Sequence, residues 1–416
     1  MNNKSVFRKT LLAGSIAMLT ACGGGGGETA STGTTSGVIT GFGSIIVNGV
    51  HYDVDSADVS IDGVASAQSL LAVGDVVVLQ GSSVNADGVT GTATAVSAND
   101  ELEGYVLDLS GLSAGVGSIN VMGQTVTITL DTVFEGDDAA ILTISDLSVN
   151  DVVEVSGFSD GNGGILATRL ETKDSLGNDI EVKGLISSLD TGAFTFTIGS
   201  LIVDYSAATE LPSLLEDGLL VEVKTDSVLT GDLANGFVMA ASKVEIEEVD
   251  DIDGDEGDEI EVQGLISGVD QVAETFVFNG QTIGFEELDD DFDPSTLVDG
   301  MLITVEGHID AAGNFVFDEI EEDHASDDEV EGTVTAVTDA TITVEVNGVE
   351  TTFTVTNDTR MIDEQDEGVT PVRFFSLADV TVGEFVEVKF YVDGTTQENI
   401  ATELEREDAP VVVVQQ

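Results

Sequence analysis

The chain is expected to be all-β, a run of tandem small antiparallel five-stranded barrels, and three observations predict this. Its 416 residues are 42% hydrophobic with 47 Gly, four Pro and no Trp, a balance that suits many short strands joined by tight turns. A glycine that opens an alternating strand recurs five times. Each recurrence is followed 11 to 18 residues later by a turn pair flanked by strand-like residues.

The five starts are Gly37-Val-Ile-Thr, Gly104-Tyr-Val-Leu, Gly184-Leu-Ile-Ser, Gly264-Leu-Ile-Ser and Gly332-Thr-Val-Thr, spaced by 67, 80, 80 and 68 residues. Their hairpin centres are Asn48-Gly49, Met122-Gly123, Ile198-Gly199, Asn279-Gly280 and Asn347-Gly348. Glycine accepts the positive φ that a two-residue hairpin turn demands, and Asn tolerates it better than most residues. A Leu-x-x-Gly-x-x-Val pattern follows at Leu71, Leu215 and Leu297, with Val149-Asn150-Asp151-Val152 and Val382-Gly383-Glu384-Phe385 in the same place. A turn and a final strand close each unit, as at Gly163 to Glu171, Gly236 to Glu245 and Gly313 to Glu319. The expected organisation is a leader over 1–21, a Gly-rich tether over 22–36, and repeats over 37–100, 101–173, 180–248, 259–322 and 329–408. Each repeat is expected to fold as a separate module.

About five strands in each unit suggest an OB-like barrel, because closure removes the sticky edges that an open sheet exposes. A flattened sandwich is the competing shape. Segments 211–215 and 376–380 are expected to form a helical turn ahead of the fourth strand. The repeated order of strand, Asn-Gly hairpin, Leu-x-x-Gly-Asp-x-Val and closing Ala-x-x-[IL]-E strand resembles the bacterial domain-of-unknown-function family 5666. The first and fifth repeats match that order best, and the fourth carries an acidic insertion at 286–293. The resemblance implies an exported or lipid-anchored protein with tandem copies; it implies no activity and transfers no functional residue.

Lys4, Arg8 and Lys9 precede a short apolar run, Thr10 to Ala21, which falls short of the roughly 20 residues needed to cross a bilayer. Leu19-Thr20-Ala21-Cys22 then reads as a bacterial lipobox, with the chain's only cysteine at the cleavage point. In lipoprotein precursors of this pattern the cysteine sulfur takes a diacylglycerol and the new amino terminus is acylated, and several acyl chains anchor a protein durably. Gly23 after the cysteine, rather than Asp, implies by the same resemblance an outer-membrane address. The tether has a root-mean-square reach of about 20 Å as a Gly/Ser coil.

Removing the leader discards three of the 12 Lys and Arg and none of the 79 Asp and Glu. So acidic a surface repels nucleic acid and anionic lipid heads, which bind through Lys and Arg. The plausible complements are cationic partners and divalent cations. With 79 acids, chance carboxylate pairs are guaranteed, so pairing identifies no glycosidase or other hydrolase. Gly157-Phe-Ser159-Asp-Gly161 matches the G-x-S-x-G nucleophile elbow but continues into a strand rather than a helix, which marks a hairpin tip. His51, His308 and His324 are the only imidazoles, and with the one thiol acylated they compose no local zinc site; His51 alternates with Tyr52 on a strand. Asp251, Asp253, Asp255 and Asp258 offer oxygen ligands at calcium-loop spacing, but the EF-hand glycine and bidentate glutamate are missing, so weak calcium binding stands beside a solvated, self-repelling linker. No other cofactor is expected.

The function that follows is a non-enzymatic, lipid-anchored envelope protein, a spacer and binding array for an unknown protein or glycan. A carbohydrate- or peptide-binding groove in one repeat and a carboxylate-based hydrolase are the alternatives.

Overall fold

Alternating strands with one apolar face build each repeat of the computed structural model, and in the fifth they close into a barrel. The structure describes residues 33–407 except 43, 86–87, 137–140, 142, 161–162, 174–179, 233–235, 247–256, 279–280, 286–296, 312–314, 324–325, 327, 364–374 and 395. In the fifth module Asp328–Val337, Thr341–Val346, Val349–Asp363, Asn399–Glu407 and Phe385–Val392 neighbour one another in that order as a closed barrel. Strand order around the ring is therefore first, second, third, fifth, fourth. A ring of five strands cannot alternate direction all the way round, so one seam must be parallel. It falls between third and fifth strands in the fifth module, and the first three modules place it likewise, at His51↔Thr90, Thr125↔Gly164 and Val203↔Met239. In the fourth module Glu259–Asp270 pairs with both Thr275–Phe278 and Leu302–Ile309, and the latter with Phe315–Glu322. The all-β reading holds throughout the described residues, although among them the fourth module's third and fifth strands form no pair that closes its ring.

One device recurs in all five. Before each fourth strand a residue in the left-handed region, Gly74, Asn150, Gly218, Gly300 or Gly383, donates its N–H to a first-strand carbonyl, at Ile39, Val106, Ile186, Ile266 or Val334. The next residue's carbonyl accepts the N–H of that same first-strand residue, at 2.9 Å in every module. This clamp sets the register of the first strand on the fourth, and it is why the Gly or Asn recurs: a β-carbon is strained at φ of 78° to 100°.

Hairpins follow the predicted turns with one shift. Asn48-Gly49, Met122-Gly123 and Asn347-Gly348 carry positive φ at both central residues, the type I′ signature. In the third module Ile198 instead pairs with Leu201, so the turn is Gly199-Ser200; only Gly199 is positive, at 52°, as a type II′ turn requires. Asn279-Gly280 lies outside the described residues. Leu377–Asp379 forms the expected 3-10 turn, capped reciprocally by Ser376 and Asp379. Segment 211–215 does not. Glu210 bridges Lys243 in parallel and accepts the Val244 N–H, which draws the chain entering this segment out along the closing strand. Two 3-10 turns appear where none was expected, Gln68–Leu70 and Ile144–Asp146.

The modules are less separate than the sequence suggests. The second and third share one hydrophobic core, in which Leu102, Met122 and Leu170 join Phe196, Leu201 and Val223, all fully buried. Their hairpin tips interlock: the Gln124 amide donates to the Ile198 carbonyl at 3.0 Å, and the Ser200 N–H and hydroxyl both donate to the Gly123 carbonyl. The first, fourth and fifth modules keep cores of their own. Across the chain, Thr34–Ser36 pairs in parallel with Ile260–Val262, joining the first and fourth modules edge to edge. That contact is why the first strand begins at Gly33, inside the segment read as tether: its backbone is already paired on two sides.

Candidate functional site

Of the described residues singled out in the sequence, His308 lines the cleft described below, and Asp258, Ser159 and His51 do not. Cys22, Asp251, Asp253, Asp255 and His324 lie outside the described residues. Asp258 is half-buried beside the start of the fourth module, where its carbonyl accepts the Ile309 N–H at 3.0 Å. Ser159 ends a fourth strand and pairs with Ile165 on the fifth, and Asp160 accepts the Gly164 N–H, so Gly157 to Ser159 of the G-x-S-x-G segment are strand; Gly161 lies outside the described residues. His51 is exposed and Tyr52 buried, as their alternation on Val50–Asp53 requires.

What the fold does bring together is a cleft of about 1570 Å³ among the first, second, fourth and fifth modules. Thr35 and Ser82 come from the first module, Asp131 and Thr168 from the second, Glu261, Glu306 and Thr304 from the fourth, and Arg360 and Thr402 from the fifth. Several wall residues are fixed by buried polar contacts. Thr35 shares hydrogen bonds of 3.2 Å with the Tyr52 hydroxyl and with Ser82, and Thr304 donates to Asp323 at 2.9 Å. Burial, with Glu261 and Glu306 adding their charge, pushes the Tyr52 phenol up to about 12. The cleft's guanidinium is held in place: Arg360 pairs with buried Glu403 and donates to the Asp131 carbonyl at 3.0 Å, tying the fifth module to the second. Ser326, in the segment entering the fifth module, donates its N–H to Asp131 at 2.8 Å, and Gln263 accepts the Val38 N–H, tying the fourth module to the first.

Charge is distributed unevenly among the modules. The sixth residue past the clamp turn stands in a row across the first, fourth and fifth strands. In the third module this row is Glu181, Lys224 and Lys243, with Lys224 Nζ 2.5 Å from Glu181. In the fifth it is Glu329, Lys389 and Glu403, with Lys389 2.7 Å from Glu403. The second module sets Ser156 beside Arg169, whose guanidinium meets Asp75, Glu135 and Glu171. The fourth module's row is Glu261, Glu306 and Glu319. Glu387, Glu403 and Glu405 form the tightest carboxylate trio among the described residues, but the Lys389 ammonium already serves two of them.

A second electrostatic feature lies where the first three modules meet. Burial pushes the Asp75 carboxyl up to about 6, although the Ala72 N–H and Arg169 favour its charge, and pushes Asp100 up to about 7, with Glu154 adding to the effect. Asp100 accepts from the Ser156 hydroxyl, and its carbonyl accepts from Lys183 Nζ at 2.6 Å. A carboxyl whose folded pKa lies above its unfolded value holds its proton more tightly when folded. Stability is then greatest below about pH 4 for this term, and is lost as pH rises toward 7. Asp100→Asn keeps the acceptor and removes the titration, so it is expected to spare the junction about 2–3 kcal/mol of the loss between pH 5 and 8. Hydrogen exchange of Val152–Ser159 at both pH values checks this; an unchanged slope in the variant would show that Asp100 titrates normally.

No motif could have located the cleft, since its wall is assembled from residues up to several modules apart. One signal was present: between Lys243 and Arg360 the sequence contains neither Lys nor Arg. No curated protein matches the chain. Among solved structures, a multidomain protein with nucleic acid binding domains from Streptococcus pneumoniae TIGR4 covers 54% of this chain and 72% of its own, at 7% identity and a TM-score of 0.15. Drosophila Unr CSD456 covers 57% and 99%, at 16% identity and a TM-score of 0.13. At those scores neither likeness bears on fold or function. The family model described as Domain of unknown function (DUF5666) matches residues 103–171, 249–321 and 331–405, more than half of the chain. The second, fourth and fifth modules are thus matched, and the first, which its motifs placed among the best, is not. Its two cross-strand rows, Thr34-Gln80-Ala95 and Ser36-Val78-Ser97, carry no charge where the matched modules carry glutamates. The chain belongs to the family of the domain of unknown function DUF5666.

Proposed function

We propose that this protein is a non-enzymatic, lipid-anchored envelope protein of the outer membrane, whose tandem barrels form a binding array with the four-module cleft as its ligand site. The observation that carries the reading is the convergence itself. Four modules of one chain are held around a single cavity by specific ties, Arg360 to Asp131, Gln263 to Val38 and the Thr34–Ser36 strand pairing among them. Pockets that take ligands are commonly found where domains meet. A cleft of about 1570 Å³ suits an extended segment of protein or glycan better than a small molecule. The excess of 79 acids over 12 basic residues supports a partner other than nucleic acid.

Anchoring is tested by Cys22→Ser, which is expected to abolish labelling with a fatty-acid probe and to move the protein from the membrane to the soluble fraction. Retained labelling would refute the anchor. Binding is tested by crosslinking in intact source cells, with mass spectrometry of captured molecules and protease added outside. Crosslinks should concentrate on cleft residues from several modules. A ligand captured fully by one isolated module would instead favour a groove within a single repeat.

A further inference from the structure

We propose that the open side of the fifth module's first strand, Asp328–Gly332, takes up an added β-strand from a cationic partner protein. In each module the first strand starts before its own hairpin reaches it, so its opening residues lie against the fourth strand on one side and leave the other side to be filled. In four modules the first strand of another module fills it. Thr34–Ser36 pairs with Ile260–Val262 between the first and fourth. Leu102 pairs with Val182 and Glu103 with Glu181 between the second and third, where the Lys183 N–H also donates to the Glu101 carbonyl at 3.3 Å. Five modules make two such pairs and leave the fifth over. There Asp328–Thr333 pairs with Phe385–Phe390 on one side, and the hairpin takes the other side only from Thr333 onward. Among the described residues nothing pairs with that other side of Asp328–Gly332.

The clamp bonds Val334 to the fourth-strand side, so by the alternation of an antiparallel ladder Val330 and Gly332 bond to that side as well. Glu329 and Glu331 then turn their N–H and C=O groups to the open side. Consistent with this, the Glu329 N–H is met by the Asp328 carboxylate at 2.9 Å rather than by the fourth strand. Asp328, Glu329 and Glu331 are all exposed. An open edge is a template for any strand, and charged side chains restrict what it accepts. A second copy of this chain, paired as Leu102 pairs with Val182, would set Glu329 directly against Glu331, and like charges in register destabilise a sheet. A strand with Lys at alternate positions meets the same carboxylates favourably. The second and third modules already make such a match: Lys183 meets Glu101, which stands five residues before the clamped Val106 as Glu329 stands five before Val334. Strands added to a sheet edge draw affinity from main-chain hydrogen bonds and selectivity from alternate side chains. None of residues 328–332 lines the cleft, so this is a second binding surface.

The probe is a fluorescein-labelled peptide of alternating Lys and Val with the full chain at about 0.15 M salt, where surface charges are screened beyond about 8 Å. In the wild-type protein, hydrogen exchange of Glu329–Glu331 should slow when the peptide is added. Glu331→Pro removes the outward N–H without touching a bond to the fourth strand, as edge strands tolerate, and is expected to weaken binding by anisotropy about tenfold or more. Glu331→Gln removes the charge alone and should weaken it about threefold. Glu216→Gln with Glu274→Gln, exposed acids of other modules, should change it less than about twofold. Equal weakening by Glu331→Pro and Glu331→Gln, or peptide binding without slowed exchange at Glu329–Glu331, would reduce the contact to charge attraction and overturn the proposal. Slow exchange there before any peptide is added would also overturn it: a dependence on protein concentration would assign the edge to a second copy, and independence would assign it to another segment of the same chain.

Discussion

Arg360→Met is expected to destabilise the fifth module by about 3–5 kcal/mol, the range seen when one partner of a buried ion pair is removed. Glu403 is 2% exposed, and its carboxylate receives both Nε and Nη2 of Arg360 on one oxygen and Lys389 Nζ at 2.7 Å on the other. Burial alone would push the Glu403 carboxyl up; Arg360 and Lys389 outweigh it and hold the group below its usual range. With methionine at 360 the carboxylate keeps a single cation, and the Asp131 carbonyl loses the donor that ties the second module to the fifth. Two readouts separate these losses. Hydrogen exchange should rise throughout Phe385–Val392, and crosslinks between the second and fifth modules should weaken. Arg360→Met combined with Glu403→Leu should recover part of the stability, because replacing both partners of a buried pair by apolar groups is often near neutral. A loss below about 1 kcal/mol in the single variant would mean that the pair behaves as a solvated one.

The same buried pair shows why the site was harder to read than the fold. The clamp turns were legible because their requirement is local: a left-handed residue must precede the fourth strand, and only Gly and Asn fill that place at residues 74, 150, 218, 300 and 383. Asn-Gly and Met-Gly hairpins were legible for the same reason. The third hairpin was read one residue early because Ile198-Gly199 and Gly199-Ser200 both contain the needed glycine, and the choice depends on whether one or two positive φ angles are required. Segment 211–215 shows tertiary contact overriding local preference, since Glu210 is engaged by the closing strand. Associations between modules leave no trace at this range. Thr34 meets Ile260, and Arg360 meets Asp131, through surfaces that alternation marks as outward or polar without saying toward what. Glu306 is the exception in principle. It becomes readable once the five clamp turns are superposed, because it then stands alone as an acid at a place that elsewhere holds Gln80, Ser156, Lys224 or Lys389.

Leu201→Ala is expected to cost about 2–5 kcal/mol, and its reach tests whether the second and third modules unfold as one. Leu201 is fully buried and follows the Gly199-Ser200 turn, where it lies against the second module's own hairpin; a β-carbon on Gly123 would come within 2.7 Å of the Leu201 side chain. Truncation therefore opens a cavity at the seam of the common core rather than inside one barrel. Two barrels that merely touched would confine the damage: Leu220–Thr225 would lose protection against hydrogen exchange and Val152–Ser159 would keep it. A shared core makes the cavity a defect of both, so both strands should lose protection together while Phe385–Val392 is unaffected. The consequence extends to the cleft, because Thr168 of the second module holds the Gly74 carbonyl at 2.6 Å and Arg169 reaches Asp75. A second module loosened from the third would carry its wall of the cavity with it. Ligand binding should then weaken in Leu201→Ala although no cleft residue has changed, and binding that stays at wild-type strength while exchange rises would show that the paired barrels and the cleft are energetically independent.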